Sequence, residues 1–304
     1  MTEHVMQGRV ISNRSSGDIH VLCGECVFRC RALGKLRRDP PVPGDLVSVR
    51  RETEDVGTVL EIIPRKNRLT RPAVANVDRL VLVVSEAEPA TDRRYIDHMS
   101  AMAAYMGAET VLCINKCDIA DGDSLRSVYE KAGFRTISVS ALRGDGIEVL
   151  KTCLADGVTV FAGNSGVGKS SILNRLLPGV GFVTGELSRG IGRGKNTTRH
   201  VTLHKSGYGG FVCDTPGFST FDAIEMGMTD IERLPLCFPE LAERLGGCRY
   251  TDCGHTTEED CAIVDAVRAG EIDPERHACY VELFHTLKEY QRRNPELFRK
   301  NLRI

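Results

Sequence analysis

The 304-residue chain contains no run of about 18 apolar residues, which argues against a membrane span. Its opening stretch, MTEHVMQGRV, lacks the apolar core of a signal peptide. Together these absences predict a cytoplasmic protein. Its twelve cysteines are then expected as reduced thiols or metal ligands, not disulfides. Charge of one sign is also missing, since the net charge is −1, so the chain as a whole is no basic nucleic-acid binder. That balance hides an asymmetry. Residues 1–71 hold 13 Lys/Arg against 9 Asp/Glu, whereas the remainder holds 27 against 32. A basic N-terminal part points weakly to a polyanionic partner.

Three patterns follow one another. Over residues 1–70, GRVIS, IHVLC, CVFRCRA, GDLVSVR and GTVLEII read as five short strands broken by Gly, Pro and Asp. Five strands in so short a stretch suit a small barrel of the OB type. The basic, Pro-containing connection RCRALGKLRRDPPVPGD could follow a nucleic-acid backbone there, or be a plain solvated loop. IPRKNRLTRP reads as a basic linker. Residues 71–222 alternate buried-type strands (VDRLVLVVS, ETVLCINK, FRTISVSA, GVTVFAG, GFVCDT) with helical stretches that end at Gly. This is an α/β domain with a parallel sheet. Over 223–304 strand signals fade. A Cys/His cluster is followed by a last helix with Asp273 as cap and Pro274 in its first turn. Tyr280, Leu283, Phe284, Leu287 and Tyr290 form its apolar face. The chain then ends with Arg292, Arg293, Arg299, Lys300 and Arg303, either an RNA contact or a solvated helix end.

The segment GNSGVGKS, from Gly163 through Asn164, Ser165, Gly166, Val167, Gly168 and Lys169 to Ser170, matches GxxxxGK[ST]. It follows an apolar strand and opens a helix that continues with Ser171, which is the context this motif requires. Glycines let the backbone wrap round phosphates with its N–H groups pointing inward. Lys169 supplies positive charge to the β- and γ-phosphates, and the Ser170 hydroxyl is placed for Mg²⁺. Downstream, DTPG offers Asp214 at a strand end and Gly217, suited to the Mg²⁺ shell and to sensing the γ-phosphate.

NKCD supplies a base reader, with Asn115, Lys116 and Asp118 at the C-terminal end of a strand. Asp118 can accept hydrogen bonds from guanine N1–H and the N2 amine. Adenine would set a ring nitrogen against the carboxylate, acceptor against acceptor, and so be rejected. Asn115 can bridge loop and base, and the Lys116 stem can cover the ring. Ser140 and Ala141, in VSAL, lie where a backbone N–H can read guanine O6. Together these motifs predict a guanine-nucleotide site using GTP/GDP and Mg²⁺. A metabolic P-loop kinase is disfavoured by NKxD, while a nucleotide-gated binding module with slow hydrolysis is a competing reading.

The motifs run base reader, SAL, phosphate loop, DxxG. Cutting the usual GTPase order once and joining its ends gives this arrangement. With NKCD, SALRGDG, GNSGVGKS, DTPG and the C-terminal cysteines in this order, the whole chain resembles the circularly permuted ribosome-small-subunit-dependent GTPase A family. The resemblance implies a GTPase stimulated by the small (30S) ribosomal subunit and acting late in its maturation. It also implies rRNA contacts from the flanking domains, other assembly factors as further partners, and a monomer.

Cys248, Cys253, His255 and Cys261 follow C-x4-C-x-H-x5-C. Three thiolates and an imidazole would fill a tetrahedral Zn²⁺ shell with no open position, a structural site; reduced buried cysteines are the alternative. The resemblance implies zinc. Cys237 and Cys279 are expected in the core, and Cys23, Cys26 and Cys30 as structural residues of strands. GRGKNTTRH is the expected first switch, in which Thr197 or Thr198 completes the Mg²⁺ shell. Phe218 follows DTPG where many GTPases have a water-orienting Gln. The family usually places His directly before the two threonines, and here Asn196 stands there. Asn196 is therefore a candidate to position water, with His200 a nearby alternative.

Overall fold

A computed structural model of the chain describes residues 5–14, 18–182, 201–214 and 221–298. Its first five strands are β1 (Val5–Asn13), β2 (Ile19–Cys23), β3 (Cys26–Ala32), β4 (Leu46–Arg51) and β5 (Val56–Ile62). They close into a barrel in the order β1-β2-β3-β5-β4. Val10, Ile19, Val21, Phe28, Val47, Val49 and Val59 fill it from alternate positions along their strands. The basic stretch after the barrel is tied down and does not swing as a free linker. Arg65 donates from Nε to Asp45 at 2.6 Å and from its terminus to Asp39 at 2.6 Å. Asn67 donates to the carbonyls of Val77 and Met106. A small ribbon, β6 (Arg68–Leu69) with β7 (Val74–Ala75), completes the passage.

The second unit is a six-stranded sheet built from β8 (Arg79–Val84), β9 (Glu109–Ile114), β10 (Arg135–Ser138), β11 (Val158–Ala162), β12 (Leu203–Lys205) and β13 (Phe211–Asp214). Its order is β10-β9-β8-β11-β13-β12, parallel except for the β12 edge. Buried strands of this kind need apolar residues on both faces, and β8 supplies them alternately. Leu80, Leu82 and Val84 pack on one side with α1 (Arg93–Tyr105) and α2 (Asp123–Lys131). Val81 and Val83 pack on the other with α3 (Ile147–Lys151) and α4 (Lys169–Leu176).

The C-terminal region contributes α5 (Pro239–Ala242), α6 (Ala262–Arg268), α7 (Pro274–Arg293) and α8 (Pro295–Phe298). As expected, Asp273 caps α7 by accepting from the N–H groups of Glu275 and Arg276, and Tyr280, Leu283 and Leu287 are buried. Cys237 and Cys279 are buried as well. One apolar core runs through the sheet, α1 and this region, joining Met99 and Met102 to Leu234, Phe238 and Tyr280. At its centre lies Arg276, fully buried on α7. It donates to Glu240 on α5 at 2.5 Å and to Asp97 on α1 at 2.7 Å, and Tyr129 donates to the same Asp97 at 2.8 Å. The guanidinium also lies over the rings of Tyr129, Phe134 and Phe238. Among the described residues no helix is long and apolar enough to cross a membrane.

Candidate functional site

The loops of the site leave the C-terminal ends of parallel strands of one sheet, where open α/β sheets place their ligands. The phosphate loop connects β11 to α4. No side chain caps α4, so its first N–H groups are left to a ligand. Gly166 and Gly168 adopt φ of +85° and +93°. A Cβ at Gly168 would in addition run into the Asn115 side chain, so only glycine fits there. Lys169 Nζ donates to Asp214 at the end of β13, which brings the loop lysine and the DTPG carboxylate to one point.

The base-reading turn follows β9, beside β8, and Asn115 is its keystone. Only 3% exposed, it donates from Nδ2 to the Val167 carbonyl at 2.8 Å and accepts at Oδ1 from the Ala141 N–H at 3.0 Å. One amide therefore ties the phosphate loop, NKCD and SAL together. Lys116 takes φ +65°, a left-handed conformation that costs a non-glycine residue about 1–2 kcal/mol. This turns its side chain back, and Nζ donates to the Glu88 carbonyl at 2.6 Å. The Ser140 hydroxyl donates to Asp118 at 2.6 Å and accepts from the Arg143 N–H at 3.0 Å. That hydrogen bond holds the Asp118 carboxyl below the usual aspartate range, so it stays an acceptor at neutral pH.

Two contributors are not singled out by motif. Arg175, on the last turn of α4, donates to the carbonyls of Ala141 and Leu142 and so fastens the SAL loop to the phosphate-loop helix. The Glu88–Pro89 segment meets both Lys116 and the face of Gly166. Neither signal is local: both join segments far apart in sequence through backbone carbonyls or ring contacts, and neither type is specified by a motif. Ser165 is exposed, while Asn164, Ser170 and Ser171 are partly exposed along the loop and the first turn of α4. Asn196, Thr197, Thr198, His200 and Gly217 lie outside the described residues.

The four predicted metal ligands converge, with their donor atoms all within 4.8 Å of one another. A tetrahedral zinc shell, with Zn–S about 2.3 Å and Zn–N about 2.0 Å, requires S···S edges of about 3.8 Å and S···N edges of about 3.5 Å. Cys248 Sγ lies 3.8 Å from Cys261 Sγ and 3.4 Å from His255 Nδ1, and Cys261 Sγ lies 3.6 Å from Nδ1. The three edges among Cys248, His255 and Cys261 therefore fit zinc in size, and all four donors fit it in chemistry. Burial pushes the His255 imidazole below its usual value against the pull of Glu258, favouring the neutral, ligating form. The loop is anchored to α7, since His277 donates to the His255 carbonyl at 2.8 Å and Tyr280 to that of Gly254 at 2.9 Å. Burial works against the Glu258 carboxylate, yet the N–H groups of Gly254, Thr256 and Thr257 hold its pKa down to about 2.

Comparison with known proteins agrees with this geometry. Residues 62–224 match the model of the RsgA GTPase family. A small ribosomal subunit biogenesis GTPase RsgA from Caldanaerobacter subterraneus subsp. tengcongensis is 40% identical over 293 residues, covering 95% of this chain and 98% of that protein. The protein of the same name from Bacillus cytotoxicus is 38% identical, covering 93% and 98%. The crystal structure of YjeQ from Thermotoga maritima aligns with a TM-score of 0.76 at 34% identity, over 93% of this chain and 99% of that one. That of YloQ, described as a circularly permuted GTPase, aligns with a TM-score of 0.77 at 31% identity, over 94% and 96%. With its phosphate loop and base reader stitched together in permuted order, this chain belongs to the RsgA GTPase family and is a GTP-hydrolysing enzyme.

Proposed function

We propose that the chain hydrolyses GTP in the late maturation of the small ribosomal subunit, with that subunit stimulating turnover. In this reading the residue 1–70 barrel and the residue 223–304 unit contact rRNA on either side of the residue 71–222 GTPase unit. The observation that carries the nucleotide assignment is the Asn115 bridge, which fixes the base reader at one distance from the phosphate loop. The relatives' names carry the ribosomal part.

Each side chain then has a task. Asp118 accepts from guanine N1–H and N2, and the Ser140–Ala141 backbone reads O6. The Lys116 stem covers one face of the ring. The N–H groups of residues 163–171 surround the phosphates, and Lys169 exchanges Asp214 for phosphate oxygen when nucleotide enters. Ser170 and Thr197 or Thr198 would hold Mg²⁺, which neutralises charge on the phosphates, and Asp214 supports that shell. Gly217 senses the γ-phosphate, and Asn196 positions the attacking water, with His200 as the alternative. Cys248, Cys253, His255 and Cys261 would hold one structural Zn²⁺.

An amide can orient water but is no general base, so unstimulated turnover should be slow and depend on a partner to order the site. The test is GTP turnover with and without purified small subunits, for the parent, Asn196→Ala, Asn196→His and His200→Ala. Stimulation well above tenfold in the parent, lost in Asn196→Ala, is expected. Turnover indifferent to saturating subunits would defeat the ribosomal reading, and rates unchanged from the parent in all three variants would remove these side chains from the chemistry.

A further inference from the structure

The barrel carries three cysteines, Cys23, Cys26 and Cys30, remote from both the nucleotide site and the metal cluster. Only two residues, Gly24 and Glu25, join β2 to β3, and Cys23 and Cys26 face each other directly in the antiparallel register. Gly24 takes φ +62° at the first central position, as a two-residue hairpin with a II′-type turn requires. Directly opposed residues of an antiparallel pair have Cα atoms about 4.5–5.5 Å apart with side chains on one face. Disulfides span Cα separations of about 4.4–6.8 Å, which this pairing meets, and their Cβ atoms lie about 3.5–4.5 Å apart, so the opposed Cβ atoms, about 4.5–5.5 Å apart in a sheet, have to draw in slightly for the bond to close.

Their surroundings differ from those of Cys30. Ile19, Val21, Phe28 and Cys30 occupy the same face and are buried, whereas Cys23 is half-buried and Cys26 exposed. The pair therefore sits at the rim of the barrel and Cys30 within it. The Cys23 sulfur lies over Gly8 of β1, where a Cβ would come within 2.5 Å of it, and a rotation about χ1 is what turns it toward Cys26 on the opposite neighbour. Cys30 donates to the Phe28 carbonyl, and burial pushes its thiol up to about 12, which leaves it inert. A metal reading does not hold here. Among the described residues, the three or more ligands needed for an ion come together only at Cys248, Cys253, His255 and Cys261.

We propose that Cys23 and Cys26 are a redox-active dithiol, a modification site that hydroperoxides convert to an intramolecular disulfide at the barrel rim. The exposed Cys26 thiolate attacks one peroxide oxygen. The O–O bond breaks, the other oxygen leaves as water or alcohol after protonation, and Cys26 becomes a sulfenic acid. The Cys23 thiol, whose pKa burial and the neighbouring Cys26 push up, then attacks that sulfur and gives up its proton. The S–S bond forms, the S–O bond breaks, and hydroxide leaves and is protonated to water. The two thiols together lose two electrons and the peroxide gains them. A dithiol reductant reverses the bond by exchange. The turn between the cysteines carries Glu25, paired with Lys205 on β12 at 2.8 Å, so the modification lies at the contact between barrel and sheet.

The test treats the full-length, zinc-loaded protein with hydrogen peroxide, blocks remaining thiols with N-ethylmaleimide, and maps tryptic peptides by mass. Cleavage after Arg14 and Arg29 yields residues 15–29, which contain Cys23 and Cys26 but not Cys30. The expected product is this peptide two hydrogens lighter and unalkylated, restored to two alkylated thiols by dithiothreitol or thioredoxin. In Cys23→Ser, Cys26 should stop at the sulfenic acid and take up dimedone. The proposal is overturned if Cys23 is alkylated while Cys26 proceeds to sulfinic acid or links two chains. It is equally overturned if both are alkylated in full at peroxide levels that already oxidise Cys248, Cys253 or Cys261.

Discussion

Replacing Asn115 by alanine tests whether one buried amide holds the nucleotide site together. The substitution removes the donor to the Val167 carbonyl and the acceptor of the Ala141 N–H. Each orphaned buried group costs about 1–3 kcal/mol, so a stability loss of about 2–4 kcal/mol is expected after partial relaxation. Both partners are backbone atoms of ligand-facing loops, so part of that loss must appear in binding. A share of about 1.4–2.8 kcal/mol weakens nucleotide affinity by about 10–100-fold. Fluorescent GDP titration alongside urea unfolding separates the two effects. Asn115→Asp should bind more weakly still, because it keeps the acceptor toward Ala141 but sets a carboxylate against the Val167 carbonyl. A folded Asn115→Ala protein that loses about 3 kcal/mol yet binds GDP within twofold of the parent would refute the reasoning. The amide would then be core filling, and the loops would be positioned by something else.

Other perturbations probe the remaining parts. Asp118→Asn should lower GTP affinity by at least about a hundredfold and admit xanthosine triphosphate, whose ring presents an acceptor where guanine has its N2 amine; competition assays with both nucleotides read this. The protein as isolated should contain one zinc per chain by elemental analysis, and Cys261→Ser should lose it. That loss should raise hydrogen exchange in residues 248–262 while β8–β11 stay protected. Arg276→Met strands two carboxylates in the core and should cost about 3–5 kcal/mol in a urea titration at pH 7.5. Burial already raises the Asp97 carboxyl above its usual range against the pull of Arg276, and losing the guanidinium raises it further. A raised folded-state pKa favours folding at low pH, where the carboxyl is protonated, and that benefit fades as pH rises. The deficit of Arg276→Met should therefore shrink between pH 7.5 and pH 5; a constant deficit would count against an unpaired carboxylate as its cause. Exchanging GDP for a GTP analogue should change hydrogen-exchange protection in residues 221–247, and identical exchange would sever the site from the C-terminal region.

The motifs of the site were legible in the sequence because each is local, whereas the contacts that join them, such as Asn115 to Val167 across 52 residues, are not. A phosphate loop needs a strand, a glycine-rich turn and a helix within about twenty residues, and alternation and spacing reveal all three. The metal ligands span 14 residues and converge as their spacing suggested. Arg276 shows where such reading stops. Arginine is almost never fully buried, so composition assigns it to the surface. Its partners Asp97 and Glu240 lie 179 and 36 residues away, and no local pattern pairs them. A signal did exist, for Arg276 precedes Tyr280, Leu283 and Leu287 at helical spacing on the buried face of α7. What it lacked was any indication that two carboxylates wait beneath that face.

Reordering the chain leaves the site unchanged and alters what the site is attached to. In space β11, bearing the phosphate loop, lies between β8 and β13, although β8, β9 and β10 precede it in sequence. The join therefore moves the chain ends, not the ligand groups. The chain leaves β13 at Asp214, and where it is next described, Phe221 stacks on His98 of α1 at 4.3 Å. His98 lies 3.8 Å from Glu282 on α7, the helix that also anchors the metal loop. On the other side, barrel residue Ser12 bridges to Thr202, and Arg9 lies over the ring of Phe211 on β13. The barrel thus rests on the strands that border residues 183–200 and 215–220, the segments expected to answer to the γ-phosphate, while the C-terminal region meets α1. A GTPase with its motifs in the usual order would have these borders in mid-chain. Here the permutation makes one of them the covalent connection to the region of the Cys248, Cys253, His255 and Cys261 cluster, and the hydrogen-exchange comparison of GDP with a GTP analogue tests whether a change at the nucleotide travels along it.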